Sequence, residues 1–194
     1  PTPFYAEGGG QVGDTGNGES STSTFLVKDT KKGAKNIFFS LVEVVDGELK
    51  EGDSVKLYVN EALRRNTEAH HTATHLLHYA LRETLGSHVK QAGSLVSPWR
   101  LRFDFHHFSA IDDDLIFAIE EKVNSAIFDD RLVYKNFMPL DEALKLGAIA
   151  LFDEKYGDTV RVVEVDGVSK ELCGGCHVDR TSRIGIFKIL EEKS

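Results

Sequence analysis

Two cysteines in 194 residues are too few for a disulfide scaffold, and their close spacing reads as metal or redox chemistry instead. No apolar stretch approaches the roughly eighteen residues of a membrane-spanning helix. No basic-then-apolar leader opens the chain; the N-terminus is polar and rich in glycine. A reducing, cytoplasmic setting without a membrane is therefore expected. Positive charge is scarce, with 23 Lys and Arg against 31 Asp and Glu and a net charge of −8. That balance argues against non-specific nucleic-acid binding while leaving room for a local basic patch. There is no internal repeat and no low-complexity tract. The chain begins at Pro1 without a methionine and stops at Ser194 soon after a strand-like run. These ends suggest an excised stretch of a longer protein, although removal of an initiator Met would also explain the start.

What is present points to an α+β fold in two parts. Residues 1–60 read as a small glycine-punctuated β-barrel domain and 61–194 as an α+β domain. In the first, Ser23–Val27, Ile37–Val45 and Ser54–Val59 read as strands separated by turn clusters, a spacing that suits a small barrel. Glu68–Leu85 reads as a long helix closed by Gly86. Beyond it, Val89–Val96 and Arg100–Phe105 read as strands, and Asp112 caps a helix running to Phe128. Leu132–Phe137 is strand-like, Asp141–Leu146 a short helix stopped by Gly147. Val160–Val165 and Val168–Leu172 flank an Asp166-Gly167 hairpin turn, and Ile184–Leu190 reads as a last strand.

Two clusters carry the chemistry. His71-Thr72-Ala73-Thr74-His75 lies in the long helix, and two histidines four apart share one helical face. Cys173-Gly174-Gly175-Cys176-His177 adds a thiolate and another imidazole. Together they offer a His/His/Cys/His set of the N/S kind that suits zinc. Taken alone, His71 and His75 could be ordinary surface or core histidines; His70 and His78 beside them make the helix unusually rich in that residue. The zinc-protease motif carries Glu after its first histidine. Position 72 is Thr, so no general base is built in. Cys-x-x-Cys-His also matches a c-type haem attachment site, but there is no export signal and Met138 is the only methionine that could serve as axial ligand. A thioredoxin-like dithiol should open a helix, whereas this one follows a hairpin.

Gly8-Gly9-Gly10-Gln11-Val12-Gly13 could cradle a phosphate with its amides, but it lacks a Gly-Lys-Ser/Thr ending and a preceding strand. A set of turns is the simpler reading. Arg64, Arg65, Arg82, Lys90, Arg100 and Arg102 could line a basic face or could simply be solvated.

Phe4-Tyr5-Ala6-Glu7-Gly8-Gly9-Gly10-Gln11-Val12-Gly13-Asp14-Thr15-Gly16 resembles the glycine motif of the alanyl-tRNA synthetase editing region. So do His71 to His78, Gln91-Ala92-Gly93-Ser94-Leu95-Val96, Arg100 to Phe105, Glu154-Lys155-Tyr156-Gly157-Asp158 and Glu171-Leu172-Cys173-Gly174-Gly175. The matches follow the family's order across nearly the whole chain. The resemblance implies a small barrel followed by an editing domain, either inside the synthetase or in a free-standing relative. It implies hydrolysis of serine or glycine wrongly attached to alanine tRNA. The family's zinc ligands fall on His71, His75, Cys173 and His177, and its pocket positions on Thr74, Gln91 and Ser94. The chain departs from the family at Cys176, usually Thr, at Gly8, usually Ser, and at Asp153, usually Gly. Tested against this is a zinc-stabilised module that binds tRNA or protein and catalyses nothing. In either case tRNA, and other domains of the synthetase, are the expected partners.

Overall fold

The computed structural model describes residues 1–34, 37–150 and 156–193. Glu154 and Lys155 of the matched segment, and the departure at Asp153, lie outside them. The elements are β1 (Gly16–Glu19), β2 (Ser23–Lys32), β3 (Phe38–Gly47), β4 (Lys56–Val59), α1 (Glu61–Leu85), β5 (Gln91–Val96), β6 (Leu101–Phe105), α2 (Asp113–Phe128), β7 (Val133–Pro139), α3 (Leu140–Lys145), β8 (Thr159–Val165) and β9 (Ser169–Leu172). A 3-10 turn spans Thr181–Ile184. α-helices thus combine with three antiparallel sheets, ordered β3-β2-β1-β4, β5-β6 and β7-β8-β9.

The expected barrel is not closed among the described residues. β3 and β4 sit at opposite edges of the first sheet. β4 has only four residues, and all ten positions of β3 are exposed. A strand with neither face covered has nothing to curl around, so the sheet stays open. Among the described residues its buried apolar cluster is Phe4, Phe25 and Val27. β1 runs through Gly16 and Gly18, in a stretch that reads as turns. These glycines are demanded by packing, because a Cβ on Gly18 would lie 2.3 Å from the Phe25 ring.

α1 is the spine of the molecule. It begins at Glu61, seven residues before the expected start at Glu68, because Asn60 caps it by accepting from the Leu63 amide. Arg65 pairs with Glu61 one turn back. The first turns are polar, which hides them from an argument based on apolar periodicity. Further along, Ala73, Leu76, Leu77, Ala80 and Leu81 are buried with Ile119, Val123 and Ile127 of α2 and Val163 and Val165 of β8. α2 starts as expected, with the Asp112 carboxylate accepting from the Leu115 amide.

The expected last strand over Ile184–Leu190 does not form. This segment runs along α2, and side chains rather than a neighbouring strand satisfy its backbone. Asn124 both accepts from the Phe187 amide and donates to the Phe187 carbonyl, at 2.9 Å each, and Glu120 accepts from the Ile189 amide at 2.7 Å. Among the described residues, no helix is long and apolar enough to cross a membrane.

Candidate metal centre

The helical period puts His71 and His75 on one face of α1, and both are buried there. The Cys173–His177 loop follows β9 and is pinned from β8. Cys173 donates its amide to the Arg161 carbonyl, and the Arg161 guanidinium donates to the carbonyls of Cys173 and Gly175. This folds the loop back against α1 so closely that a Cβ on Gly175 would lie 2.0 Å from His71 Cε1. Only glycine fits there.

The result is one cluster. A donor atom from each of His71, His75, Cys173 and His177 lies within 4.8 Å of all the others. Cys173 Sγ is 3.4 Å from His71 Nε2 and 3.2 Å from His177 Nε2. Metal bonds of roughly 2.0–2.3 Å in a tetrahedron hold donors about 3.3–3.8 Å apart, so these separations fit a single ion. Cys176 is not a member of the group. The Gly175 amide also points at Cys173 Sγ, at 3.4 Å.

The electrostatics prepare Cys173 and His177 for ligation, whereas at His75 a metal ion would have to displace a proton. Burial pushes the Cys173 thiol up, but the facing His71, His177 and His75 rings outweigh it and hold the thiol well below its usual range. Burial, and the like charge of His71, hold His177 well below an ordinary imidazole. Burial also opposes charge on His75, yet the Glu171 carboxylate and the Cys173 thiolate more than compensate and lift it to about 9. Cys176 behaves differently, as burial raises its thiol. One sulfur of the pair is therefore poised as a thiolate and the other as a thiol.

A second ring of side chains surrounds the donors. His71 Nδ1 meets Gln11 Oε1 at 2.7 Å, and His177 Nδ1 meets Thr72 Oγ1 at 3.1 Å. Glu171, almost wholly buried, lies between two histidines: Oε1 is 3.0 Å from His78 Nδ1, and Oε2 is 3.5 Å from His75 Nδ1, an electrostatic contact. Sequence reasoning attached no role to Gln11, Thr72 or Glu171. Each lies inside a motif already singled out, which was the available signal.

The other expected site residues are not members of the cluster. Thr74 is buried on α1, with its hydroxyl donated to the His70 carbonyl at 2.8 Å. Gln91 and Ser94 are half-buried on β5, which packs against α1. The glycine motif forms a tight turn against that strand. Gly8 and Gln11 exchange both backbone hydrogen bonds, and Gly9 and Gly10 between them have φ of 55° and 79°, as a two-residue hairpin turn requires. Beyond the turn, Val12 and Val96 are joined by an amide-to-carbonyl bond, and Gly10 faces Ser94 so closely that a Cβ would strike its Oγ. Turn, rather than phosphate cradle, is what the motif builds. Among the described residues, four of the arginines expected on a basic face are held by partners within the chain. Arg64 forms an ion pair with buried Asp14 and donates to the Pro3 carbonyl; Arg65, Arg82 and Arg102 are also engaged within the chain.

Residues 160–194 match the threonyl and alanyl tRNA synthetase second additional domain, and residues 1–63 match class II (A) tRNA synthetases. The alanine–tRNA ligase of Listeria welshimeri is 54% identical over 191 residues, covering 98% of this chain. Those of Desulfosudis oleivorans and Thermotoga maritima are 53% and 50% identical over 193 residues. In each case the match occupies 22% of the relative, so the chain spans about a fifth of the length of these ligases. The chain belongs to the alanyl-tRNA synthetase family.

Proposed function

We propose that this chain is the proofreading part of an alanyl-tRNA synthetase and hydrolyses the ester that joins serine or glycine to alanine tRNA. The observation that carries the reading is the convergent His71/His75/Cys173/His177 cluster, in a chain half identical to alanine–tRNA ligases. In this reading 61–194 is the editing domain, 1–60 is a glycine-motif domain that supports it, and the protein works in the cytoplasm with the rest of the synthetase.

The four clustered residues would hold zinc, whose contribution when bound is Lewis-acid polarisation or orientation of the ester. The chain's own residues do the rest. Gln91 has a donor and an acceptor, and Ser94 a hydroxyl. Among the described residues neither side chain has a hydrogen-bond partner, so both are open to a substrate amine or hydroxyl. Thr74 gives its proton to His70 and keeps lone pairs to accept. A pocket that bonds the serine hydroxyl leaves a polar group unpaired when alanine enters, and this makes discrimination against alanine large. With Thr at position 72, the proton acceptor is a water, a tRNA hydroxyl or a more distant side chain.

One observation favours a second reading. Four protein donors complete a tetrahedral shell, the usual mark of a structural ion. On that view the chain is a zinc-stabilised tRNA- or protein-binding module. Release of serine from seryl-tRNA(Ala) by the zinc-loaded chain separates the two. Editing predicts multiple turnovers, abolished in His75→Ala together with zinc content, and an altered serine-to-alanine ratio in Thr74→Val and Gln91→Ala. No release above the uncatalysed rate, with one zinc bound, would establish the binding module instead.

A further inference from the structure

We propose that Gln11 and Thr72, neither of them a member of the donor cluster, are positioning residues that fix which nitrogen His71 and His177 present to the metal. The proposal rests on the metal reading above and extends it to the glycine motif.

The argument is one of hydrogen-bond accounting. Gln11 is completely buried, and one end of its carboxamide meets two groups: the Cys176 backbone amide at 2.8 Å and His71 Nδ1 at 2.7 Å. A backbone N–H can only donate. The carboxamide atom it faces is therefore the oxygen, and an oxygen facing His71 Nδ1 requires that nitrogen to carry the proton. His71 is thereby held with its Nε2 lone pair free, and Nε2 is the atom 3.4 Å from Cys173 Sγ. The orientation of one backbone amide thus passes through Gln11 to the metal-facing nitrogen.

Thr72 works in the same way. Its hydroxyl has one hydrogen, which goes to the Glu68 carbonyl at 2.9 Å. Only acceptor capacity remains, and it receives the Val178 amide at 3.2 Å and His177 Nδ1 at 3.1 Å. His177 Nδ1 must then carry its proton, which leaves Nε2, 3.2 Å from Cys173 Sγ, free to coordinate. Two histidines from different parts of the chain are set to the same tautomer by two different acceptors.

Space-filling does not account for Gln11. Among the described residues its Nε2 is buried without a partner. An unpaired buried amide is unfavourable compared with an apolar side chain of similar shape. What an apolar residue could not supply is the oxygen. Gln11 also joins three segments far apart in sequence: the glycine turn, α1 and the cysteine loop. The metal centre is incomplete without the N-terminal segment.

The test measures zinc affinity by chelator competition at fixed pH, together with the histidine tautomers by long-range 1H–15N NMR. Gln11→Met keeps the shape and removes the acceptor; Gln11→Glu keeps an acceptor for both donors. Thr72→Val and Thr72→Ser form the matching pair. Loss of such outer partners typically weakens metal binding about 10- to 100-fold. That loss is expected for Gln11→Met and Thr72→Val, while Gln11→Glu and Thr72→Ser stay near wild type. In the wild type, His71 and His177 should both be protonated at Nδ1. Wild-type affinity in both apolar variants, or a His71 protonated at Nε2 in the wild-type protein, overturns the proposal; the second result needs no variant to fold. A wild-type chain that binds no zinc would instead overturn the metal reading on which the proposal stands.

Discussion

The N-terminal sheet and the α1–α2 core are stabilised in different ways. The core joins two helices and β8 through buried Ala, Leu, Ile and Val side chains. The sheet buries Phe4, Phe25 and Val27 and leaves Phe38, Phe39, Leu41, Val44 and Val45 of β3 exposed. Its attachment to the rest is largely polar and local: the Arg64–Asp14 ion pair, the pairing of Gln11 with Val96, and the Gln11 bonds to His71 and Cys176. The sheet's glycine turn is thus tied into the centre while its far edge bears no comparable packing. A region can be essential to a site without having much of a core of its own.

Truncations sharpen this contrast most strongly. Leu76→Ala removes a fully buried side chain from the middle of α1 and should lower stability by about 2–5 kcal/mol, read as a fall in the denaturant midpoint by every spectroscopic probe. Phe25→Ala should loosen the sheet alone. Faster amide exchange is expected in β1–β4, with protection of α1 retained. Equal loss of protection in α1 would show that sheet and core are one cooperative unit.

A smaller change tests the loop that closes the centre. Gly175→Ala sets a Cβ against His71, whereas a Cβ on Gly174 meets nothing within 4 Å. Zinc affinity should fall at least tenfold in the first and stay unchanged in the second. Cys176→Thr should also retain the metal, because Cys176 lies outside the donor group. Loss of zinc in Cys176→Thr with retention in Cys173→Ser would reverse the two cysteines.

The smallest expected effect is on the surface, at the end of α2. Arg180 and Ser182 hydrogen-bond Asp130 and hold its carboxyl down at about 2. A depressed carboxylate pKa gives stability that is present above the ordinary value near 4 and lost as pH falls through about 2. Arg180→Ala should move the Asp130 titration towards the ordinary value, followed by 13C NMR of the carboxyl, with the metal centre unaffected. An unmoved titration would mean that Arg180 is not its partner in solution.

Much of this was legible in sequence, for definable reasons. Asp112 announced α2 and Gly147 the end of α3, because capping is a local matter. The i, i+4 histidines and the Cys-x-x-x-His run, five residues in all, announced a donor set because helix geometry and loop length limit what such spacings can do. The first two turns of α1 were not legible, since Asn60 and Glu61 carry them without an apolar stripe. The segment 184–190 looked like a strand because it is a short run rich in isoleucine. Its partners are Asn124 and Glu120 of α2, which no local pattern reveals. The barrel failed on similar grounds: strands can be read from turn spacing, whereas closure depends on whether the edges meet.

The sequence by itself determined the donor types, their spacing and the family, because these depend on residue identity and short-range geometry. Only the tertiary structure decided that the four donors converge within one buried cluster and that Glu171 stands behind His75. It alone decided that Gln11, sixty residues before His71, faces its ring. The physical reason is that a buried polar atom must find a partner wherever the chain brings one, and which partner arrives is settled by packing over distances that residue order does not record.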